Sequence, residues 1–489
     1  PLLASDPHLE INRLPPLWYE MHYDLDGNWV KGATLPGVPV VIFGRSRHVS
    51  WGNTYGFMDM IDWYMEECHD GQYKVDGKWR EFEKRVEIIN TIGREPEEHV
   101  FYENHHGVLE GDPTEPGIYL TMAYSGRDNV GSEILNTLFT AEEIRTVDQA
   151  MQEFRKLSIP TFNWLFADSK GNTGYQMCGR MPKRHTSLSG LLPVKGWKSE
   201  YDWDGMVDSA KLPALYNPPA GFFATANSDM NHYGTANPIN LPMAPYRRQR
   251  ITELLKESDT VDHEYCKQMH FDTYSKQAEL FMPHIEPYLP DTPNGDILKE
   301  WDFCYDLDSK GAYLFESVYE CLLDKFFGSH GFGRDTVDYL NDYTAIFTNY
   351  YGNFDSVMLD ESSDWLEGVD YEEVFQQAVI EGLDAEAKAY KSSVTFRMNN
   401  IFVGENLPGF LGFDETGVQI AGGRATIPQL QFFRIFGNDT VVGQSYRIIA
   451  DMSEDSISTT IPGGPSGKRF SRWYRSDLNA WIQGDYKIY

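Results

Sequence analysis

The amino-acid sequence predicts an α+β protein in which two stretches of β structure enclose a helical block. Short apolar runs separated by turn residues dominate the first third of the chain. From about Arg247 the apolar residues recur at helical spacing, and short apolar and β-branched runs return at 424–435 and 445–451. We therefore expect an α+β core with a helical insertion.

The first third contains one clear hairpin pattern and one helix. Asp76-Gly77 lies between two short strands, and this dipeptide favours the two-residue turn of a β-hairpin. A helix is predicted at 146–157, because its apolar residues share one helical face. Further strands are predicted at 40–43, 86–92, 117–123 and 173–178.

Five segments of the second half have helical periodicity. They are RRQRITELL (247–255), VDHEYCKQMHFD (261–272), SKQAELFMPHIEPYL (275–289), GAYLFESVYECLLDKFF (311–327) and EEVFQQAVIEGLDAEAKAY (372–390). The chain is accordingly divided into a first part of the core (1–254), a mainly helical insertion (255–400) and a return to the core (401–489).

The charge balance excludes two classes of partner. Asp and Glu total 73 against 42 Lys and Arg, giving a formal net charge of −31. Such a field repels phosphate backbones and anionic lipid, so neither nucleic acid nor a membrane surface is an expected partner. A transmembrane helix is not expected either, because no apolar run reaches about eighteen residues.

The cysteines favour free thiols. There are five, widely spaced and without a CxxC pair for zinc or redox chemistry. Cys304 and Cys321 could pair, but buried free thiols are the preferred interpretation.

The common catalytic signatures are missing. Gly464-Pro-Ser466 begins like a nucleophile elbow, but Lys468 occupies the position of the second glycine. There is no HExxH motif, no Walker loop and no GxGxxG after a strand. His105-His106 lacks a third ligand at a zinc spacing, so a solvated loop is expected there.

Several polar segments follow predicted strands. His8 comes after a short strand, and SWGNTYG (50–56) runs from a strand into a glycine-containing loop. Such a loop presents backbone N–H groups that can stabilise an oxyanion, and Asn227 is placed to supply a second donor. Asp59 and Asp62 offer oxygen ligands suited to calcium. Alone, His8 is more often a structural residue and 50–56 an ordinary turn, the acidic pair is equally compatible with a solvated turn, and Asn227 also suits a strand end for turn reasons.

Taken in this order, the segments resemble the penicillin acylase (penicillin amidase) family of N-terminal-nucleophile hydrolases. The matching stretches are PLLASDPHLE (1–10), LPGVPVVIFGRSRHVSWGNTYGFMDMIDWYMEE (35–67), FNWLFADSKGNTGYQMCGRMPKR (162–184), LLPVKGW (191–197), NPPAGFFATAN (217–227), PYRRQRITELL (245–255) and GGPSGKRFSRWYRSDLNAWIQGDY (463–486).

The resemblance implies a four-layer αββα sandwich of two antiparallel sheets between helices. It also implies a precursor that cleaves itself into two chains, the larger beginning with a serine activated by its own α-amino group. That serine would lie shortly before Pro1, so we expect this sequence to be part of the larger (β) chain. The expected partner is the smaller (α) chain, and the expected location is the periplasm or the exterior.

The resemblance assigns catalytic positions residue by residue. His8 matches the residue that contacts the serine, and Tyr55 matches the residue whose backbone N–H is one oxyanion donor. Asn227 matches the side-chain donor, and Arg250 matches a structural arginine near the cleft.

It also implies a calcium site and an acyl pocket. The carboxylates of Asp59 and Asp62 and the carbonyl of Ile61 match calcium ligands, with a further carbonyl from Pro193. The acyl-pocket positions are Leu9, Ile42, Phe43 and Asn53, and they suit an aliphatic or aromatic acyl group.

The expected reaction is hydrolysis of a linear amide joining an apolar acyl group to a small polar amine through a serine acyl-enzyme. The amine would be a homoserine lactone or a penicillin-type nucleus. One alternative is a glycoside hydrolase, since 14% of the residues are aromatic and carboxylates are abundant. The other is a non-catalytic calcium-binding protein that retains the fold.

Overall fold

Strands occupy both ends of the chain and helices the middle. A computed structural model describes residues 1–127, 132–340, 350–384, 386–435 and 438–489. Ala385, in the last predicted helical segment, lies outside the described residues. Among the described helices, none combines the length and the apolar character needed to span a bilayer.

The strands are numbered in chain order: β1 Leu2–Ser5, β2 His8–Glu10, β3 Arg13–Leu14, β4 Tyr19–Leu25, β5 Asn28–Thr34, β6 Phe43–Ser46, β7 Val49–Tyr55, β8 Ile61–His69, β9 Gln72–Val75, β10 Lys78–Glu81, β11 Glu83–Ile89, β12 Glu97–Glu103, β13 Val108–Glu110, β14 Gly117–Tyr124, β15 Phe162–Asp168, β16 Thr173–Cys178, β17 Val194–Lys195, β18 Ala214–Tyr216, β19 Thr395–Asn400, β20 Glu415–Gln419, β21 Gln431–Ile435, β22 Asn438–Gln444, β23 Arg447–Asp451, β24 Ser458–Thr460 and β25 Lys487–Ile488. The α-helices are α1 Ser132–Phe139, α2 Val147–Phe154, α3 Tyr246–Glu257, α4 His263–His270, α5 Lys276–Ile285, α6 Pro293–Lys299, α7 Lys310–Leu323, α8 Arg334–Tyr339, α9 Tyr350–Met358, α10 Tyr371–Gly382 and α11 Leu478–Gln483.

Two sheets pack face to face. The front sheet has the strand order β18-β16-β15-β7-β6-β5-β4, and the back sheet has the order β1-β23-β24-β25. Apolar side chains from both sheets fill the space between them, among them Phe43 from the front sheet and Ile448 and Ala450 from the back sheet. This inter-sheet core fixes which face of each strand points inward.

Helices cover the outer faces of both sheets. Helices α1 and α2 pack on the front sheet, where Phe154 meets Trp164 and Phe166 edge to face. Helix α2 begins at Thr146, whose side chain accepts a hydrogen bond from the backbone N–H of Gln149. On the back sheet, α4 contacts β23, and α11 receives a hydrogen bond from Arg447 of that strand. The four layers confirm the predicted αββα sandwich.

A third sheet flanks this sandwich. Its order is β10-β9-β8-β14-β13-β12-β11, with β17 added in parallel to β8. The predicted hairpin is confirmed within it: Asp76 and Gly77 both have positive φ, as the two-residue turn between β9 and β10 requires. All five cysteines are free; Cys304 and Cys321 are only half-buried.

Two predicted elements are shorter than the periodicity suggested. The helix expected at 372–390 ends at Gly382, because the chain turns back so that Tyr390 and Lys391 donate backbone hydrogen bonds to Ser309 and Leu307. The strand expected at 424–435 begins only at Gln431, because a turn held by the Thr426 hydroxyl occupies its first part.

A buried carboxylate links four helices of the helical block. Asp355 of α9 accepts hydrogen bonds from Tyr246 of α3 (2.8 Å), Gln277 of α5 (2.8 Å) and Tyr319 of α7 (2.6 Å). Burial raises the pKa of Asp355 to about 6, and these three donors oppose that rise. The four side chains thus form a polar junction inside an apolar helical core.

We expect Asp355→Asn to lower the free energy of unfolding by about 1–3 kcal/mol. The substitution replaces one acceptor oxygen by an NH2 group, which then faces the N–H and O–H donors of the junction. Urea denaturation followed by helical circular dichroism measures this change. Asp335→Asn, at an exposed position in the first turn of α8, is the matched control and should cost less than about 1 kcal/mol. Equal losses in the two variants would contradict the junction.

Candidate active site

The end of strand β7 presents backbone groups that no neighbouring strand uses. The backbone N–H of Gly56 donates to the carbonyl of Thr161 on the β15 side at 3.0 Å, and the register pairs Tyr55 with Phe162. In an antiparallel ladder, the N–H and C=O groups of successive residues point to opposite sides of the strand. Because those of Gly56 face β15, those of Tyr55 face away from β15. On that side β6 pairs with β7 only at Trp51 and Ser50. The polar groups of Tyr55 are therefore open to another partner.

Asn227 is that partner. Its side-chain Nδ2 donates to the carbonyl of Tyr55 at 2.9 Å. Asn227 has φ +66°, a left-handed conformation that asparagine tolerates better than most residues. An amide nitrogen carries two hydrogens, so one donor of Asn227 remains beside the strand end.

A buried arginine fixes the orientation of the Asn227 amide. Nη2 of Arg247 donates to the Asn227 Oδ1 at 2.8 Å and to the carbonyl of Ala226 at 3.1 Å. Because the amide oxygen is held by this cation, the amide nitrogen must face Tyr55. The N–H of Tyr55 and the second N–H of Asn227 are thus the two candidate donors for an oxyanion at this strand end.

His8 lies in β2, opposite Gln444 of β22. Burial lowers the pKa of His8 well below its ordinary value, and Arg247 and Arg447 lower it further. The imidazole is therefore neutral at physiological pH. Its Nε2 is buried and has no hydrogen-bond partner among the described residues. A buried unpaired nitrogen calls for a polar group at that point.

A polar network behind His8 holds β2 in place. Nε2 of Gln444 donates to Asp6 at 2.7 Å and to the carbonyl of His270 at 2.8 Å, while its Oε1 accepts from Arg447 at 2.8 Å. Burial raises the pKa of Asp6 to about 6, whereas the hydrogen bond from Gln444 and the charges of Arg247 and Arg447 lower it. The network ties Asp6, between β1 and β2, to Arg447 of the back sheet and so helps to set the position of His8.

Arg250, expected to be a structural arginine, belongs to an ion-pair cluster. Its guanidinium forms a two-point ion pair with Asp272 at 2.8 and 2.9 Å, contacts Glu253 at 3.0 Å and stacks over Tyr274. The arginine that contacts Asn227 is Arg247, one helical turn earlier on the same side of α3. Sequence reasoning missed Arg247 because three arginines lie in this turn and only packing selects among them.

The predicted acyl-pocket residues do not share one cavity. Phe43 packs in the inter-sheet core against Trp18 at 5.1 Å, whereas Asn53 lies on the strand face that carries Trp51 towards α2. The sheet therefore separates Phe43 from Asn53, which corrects the expectation of a common pocket. Ile42 packs against the cores on both sides of the sheet, and Leu9 is partly exposed on β2.

A small cavity of about 190 Å³ opens beside Tyr55 instead. Its lining is mainly apolar or aromatic and consists of Tyr55, Met58, Asp59, Met60, Ile61, Tyr124, Pro160 and Thr161. The cavity shares Tyr55 with the candidate donor pair, and its mainly apolar wall suits an apolar group.

Asp59 and Asp62 surround an arginine. The guanidinium of Arg184 contacts the Asp59 carboxylate at 3.0 Å and the Asp62 carboxylate at 2.7 Å, and its Nη2 also faces the carbonyls of Asp59 (3.3 Å) and Ile61 (3.5 Å). Pro193 lies beside the same strand, because Val194 pairs with Tyr64 of β8. The sequence-predicted calcium ligands are thus close together, with a cation already among them.

These residues do not fit a calcium ion in addition to Arg184. Calcium requires six to eight oxygens, and here both carboxylates and two carbonyls face the guanidinium. Burial raises the pKa of Asp59, and Arg184 opposes that rise. Oδ1 of Asp62 is buried and has no partner within the part of the chain that the structure describes, but its Oδ2 is shared by Arg184 and the indole N–H of Trp203. Arg184 was missed because 122 residues separate it from Asp62.

The four-layer αββα sandwich places the chain in the class of N-terminal-nucleophile hydrolases. The model of the penicillin amidase family matches residues 1–488. The chain belongs to the penicillin amidase family.

Its relatives are acylases, and the chain spans less than two thirds of their length. It is 26% identical to acyl-homoserine lactone acylase QuiP of Pseudomonas aeruginosa over 99% of this chain and 64% of that protein. It is 29% identical to penicillin acylase 2 proenzyme of Pseudomonas sp. strain SE83, over 66% of this chain and 42% of that protein. The fold superposes on thermostable penicillin G acylase from Alcaligenes faecalis with a TM-score of 0.80 and 18% identity, covering 100% of this chain and 93% of the other.

If Arg184 is the cation of the Asp59–Asp62 site, adding calcium to the metal-free protein should leave its melting temperature unchanged. Arg184→Ala should destabilise it by about 3–5 kcal/mol, because two buried carboxylates lose their counter-charge. Added calcium should restore much of that loss in the variant only. Thermal melts of the metal-free wild type and variant, with and without calcium, measure all three effects.

Lys183→Ala is the control, since Lys183 pairs with Asp204 at an exposed position. A metal-free wild-type protein whose melting temperature rises on addition of calcium would show that the site takes a calcium ion after all.

Proposed function

We propose that this chain is the main part of the nucleophile-bearing chain of an amide hydrolase. The observation that carries the proposal is the pair of oriented donors at the end of β7, formed by Tyr55 and the Arg247-held amide of Asn227. A neutral buried His8 with an unpaired nitrogen accompanies it. The family assignment favours this function over a glycoside hydrolase.

In the proposed reaction the nucleophile is a serine that precedes Pro1 in the precursor. Its Oγ forms a bond to the amide carbon, and its α-amino group takes the hydroxyl proton. The C–N bond then breaks, the proton passes to the leaving amine, and water hydrolyses the acyl ester. The N–H groups of Tyr55 and Asn227 bind the oxygen that becomes negative, and His8 contacts the serine through a neutral nitrogen.

The proposed substrate is a linear amide between an apolar acyl group and a small polar amine. The cavity beside Tyr55, with Met58, Met60 and Tyr124 in its wall, supports the apolar acyl group. The relatives named acyl-homoserine lactone acylase and penicillin acylase support a homoserine lactone or a penicillin-type nucleus as the amine. We favour the N-acyl-homoserine lactone.

The proposal includes a smaller chain released from the same precursor, and export to the periplasm or beyond. The relative named as a proenzyme supports processing. Fractionation of the producing cells, with the processed chain followed by antibody, tests the location.

The test of the proposed function is expression from the complete gene, followed by intact mass measurement and N-terminal sequencing. Two chains, the larger starting at a serine shortly before Pro1, together with release of fatty acid from acyl amides, would support the proposal. A single unprocessed chain without hydrolysis would overturn it and favour a non-catalytic protein with this fold.

Asn227→Ala should reduce kcat by about 10²–10³-fold per mole of processed enzyme with little change in KM, because one oxyanion donor acts mainly in the transition state. Steady-state kinetics on an acyl amide measures both constants. Asn240→Ala removes an amide of the same size that contacts Asp59 and the carbonyl of Ser189, and it should leave kcat nearly unchanged. Equal kcat in wild type and Asn227→Ala would remove Asn227 from the oxyanion site.

His8→Gln should retain most of the activity, because the lowered pKa keeps His8 uncharged and glutamine is also a neutral hydrogen-bonding side chain. The pH profiles of kcat/KM for wild type and variant should coincide between about pH 5 and 8, the range in which an ordinary histidine titrates. A loss of about 10²–10⁴-fold, or a missing acid limb in the variant, would instead identify His8 as a general base.

A further inference from the structure

A second cluster of chemically active side chains lies on the flanking sheet. His106 is buried in the turn between β12 and β13, which corrects the expectation of a solvated loop for this residue. Its Nδ1 lies 2.7 Å from Glu66 of β8, and its Nε2 lies 2.9 Å from Asp202. The neighbouring His105 directs its Nε2 to the other oxygen of Asp202 at 3.3 Å. Asp202 is the third ligand that was not evident in the sequence, 96 residues beyond His106.

The surroundings hold the His106 ring rigidly. Its imidazole stacks on Tyr64 with ring centroids 3.7 Å apart and planes 4° from parallel. Asn104 shapes the turn by accepting the backbone N–H groups of His106 and Gly107, and its Nδ2 donates to Glu66. The ring nitrogens therefore have fixed directions before any ligand arrives.

Glu66 determines which ring nitrogen carries the proton. Its side chain is completely buried, and a carboxylate at 2.7 Å requires a proton on Nδ1 of His106. In the neutral ring, Nε2 then carries a lone pair, and this lone pair faces the carboxylate of Asp202. Two acceptors this close need a positive group between them. A histidine that donates one nitrogen to a carboxylate and directs the other to a cation is a common arrangement in zinc proteins.

We propose that His105, His106 and Asp202 bind a zinc ion. The three ligand atoms lie within 4.8 Å of one another. Zinc–nitrogen bonds of about 2.0–2.1 Å in tetrahedral geometry place ligand atoms about 3.3 Å apart. The Nε2 of His105 lies 3.3 Å from Oδ2 of Asp202, and the Nε2 of His106 lies 2.9 Å from Oδ1, so each imidazole faces its own oxygen of the carboxylate at about that spacing.

Charge and ligand type favour zinc over a hard cation. One Zn²⁺ balances the two negative charges of Glu66 and Asp202, whereas a single extra proton would balance only one. Two imidazoles suit zinc, while calcium and magnesium prefer oxygen ligands throughout. His105 and Asp202 are partly exposed, so the fourth position is open to water.

The ion joins segments that are distant in sequence. His105 and His106 belong to the turn after β12, Glu66 to β8, and Asp202 to the segment after β17. Because zinc would bind the folded protein and not the unfolded chain, it raises the melting temperature.

The experiment uses the processed enzyme from the complete gene, freed of metal by chelation and then loaded with Zn²⁺ or with Co²⁺ as a spectroscopic probe. Metal content after gel filtration, the visible spectrum of the Co²⁺ form and thermal melts are recorded. The wild type should retain one equivalent of zinc, show the intense visible absorption of four-coordinate Co²⁺ and melt at a higher temperature with metal.

Two variants and one control make the result specific to this cluster. His105→Asn and Asp202→Asn should lose the equivalent of metal, the Co²⁺ absorption and the metal-dependent shift in melting temperature. His105 is partly exposed, so His105→Asn should fold even if Asp202→Asn does not. His99→Asn removes a surface histidine that pairs with Glu97, and it should bind metal like the wild type.

Failure of the wild type to retain an equivalent of metal would overturn the proposal and show that a proton lies between His106 and Asp202. Retention of the full equivalent by His105→Asn would overturn it as well, because the metal would then be bound elsewhere.

Discussion

The geometry of the candidate active site depends on the hydrogen bonds that the buried guanidinium of Arg247 donates. It holds the oxygen of the Asn227 amide, which leaves the nitrogen no orientation except towards the carbonyl of Tyr55. The strand end and the 223–229 segment are thereby joined at one polar point. The same cation contributes to keeping His8 uncharged. A buried charge is costly unless it is paired or hydrogen-bonded. The positions of α3, the 223–229 segment and the end of β7 are therefore coupled through Arg247.

Buried cations recur at the junctions of this very acidic protein. Arg447 connects β23 to α11 and to the Gln444 network behind His8, and Arg184 lies among the oxygens of Asp59, Ile61 and Asp62. Planar guanidinium groups suit these positions, since they satisfy several carbonyl and carboxylate oxygens at once. These arginines thus connect, by hydrogen bonds and ion pairs, elements that are distant in sequence.

Much of the fold was predictable from local patterns, and the partners in its polar sites were not. The Asp76-Gly77 hairpin and the 146–157 helix depend on neighbouring residues, and the order of the family motifs led to the sandwich. The pairing of Tyr55 with Asn227 followed from those motifs too. By contrast, Arg247 was not singled out, because three arginines lie in one turn of α3 and only packing selects among them. Arg184 and Asp202 reach their partners across long stretches of sequence, so only the packing of the flanking sheet reveals them.

The most direct test of the active-site account is a crystal structure of the processed enzyme with a phosphonate analogue of the tetrahedral intermediate. The account predicts one phosphonate oxygen within hydrogen-bond distance of both the Tyr55 backbone N–H and the Asn227 Nδ2, with Arg247 still bound to the Asn227 oxygen. The acyl chain should enter the cavity lined by Met58, Met60 and Tyr124. A phosphonate oxygen held by other donors, with Asn227 still bonded only to the Tyr55 carbonyl, would contradict it.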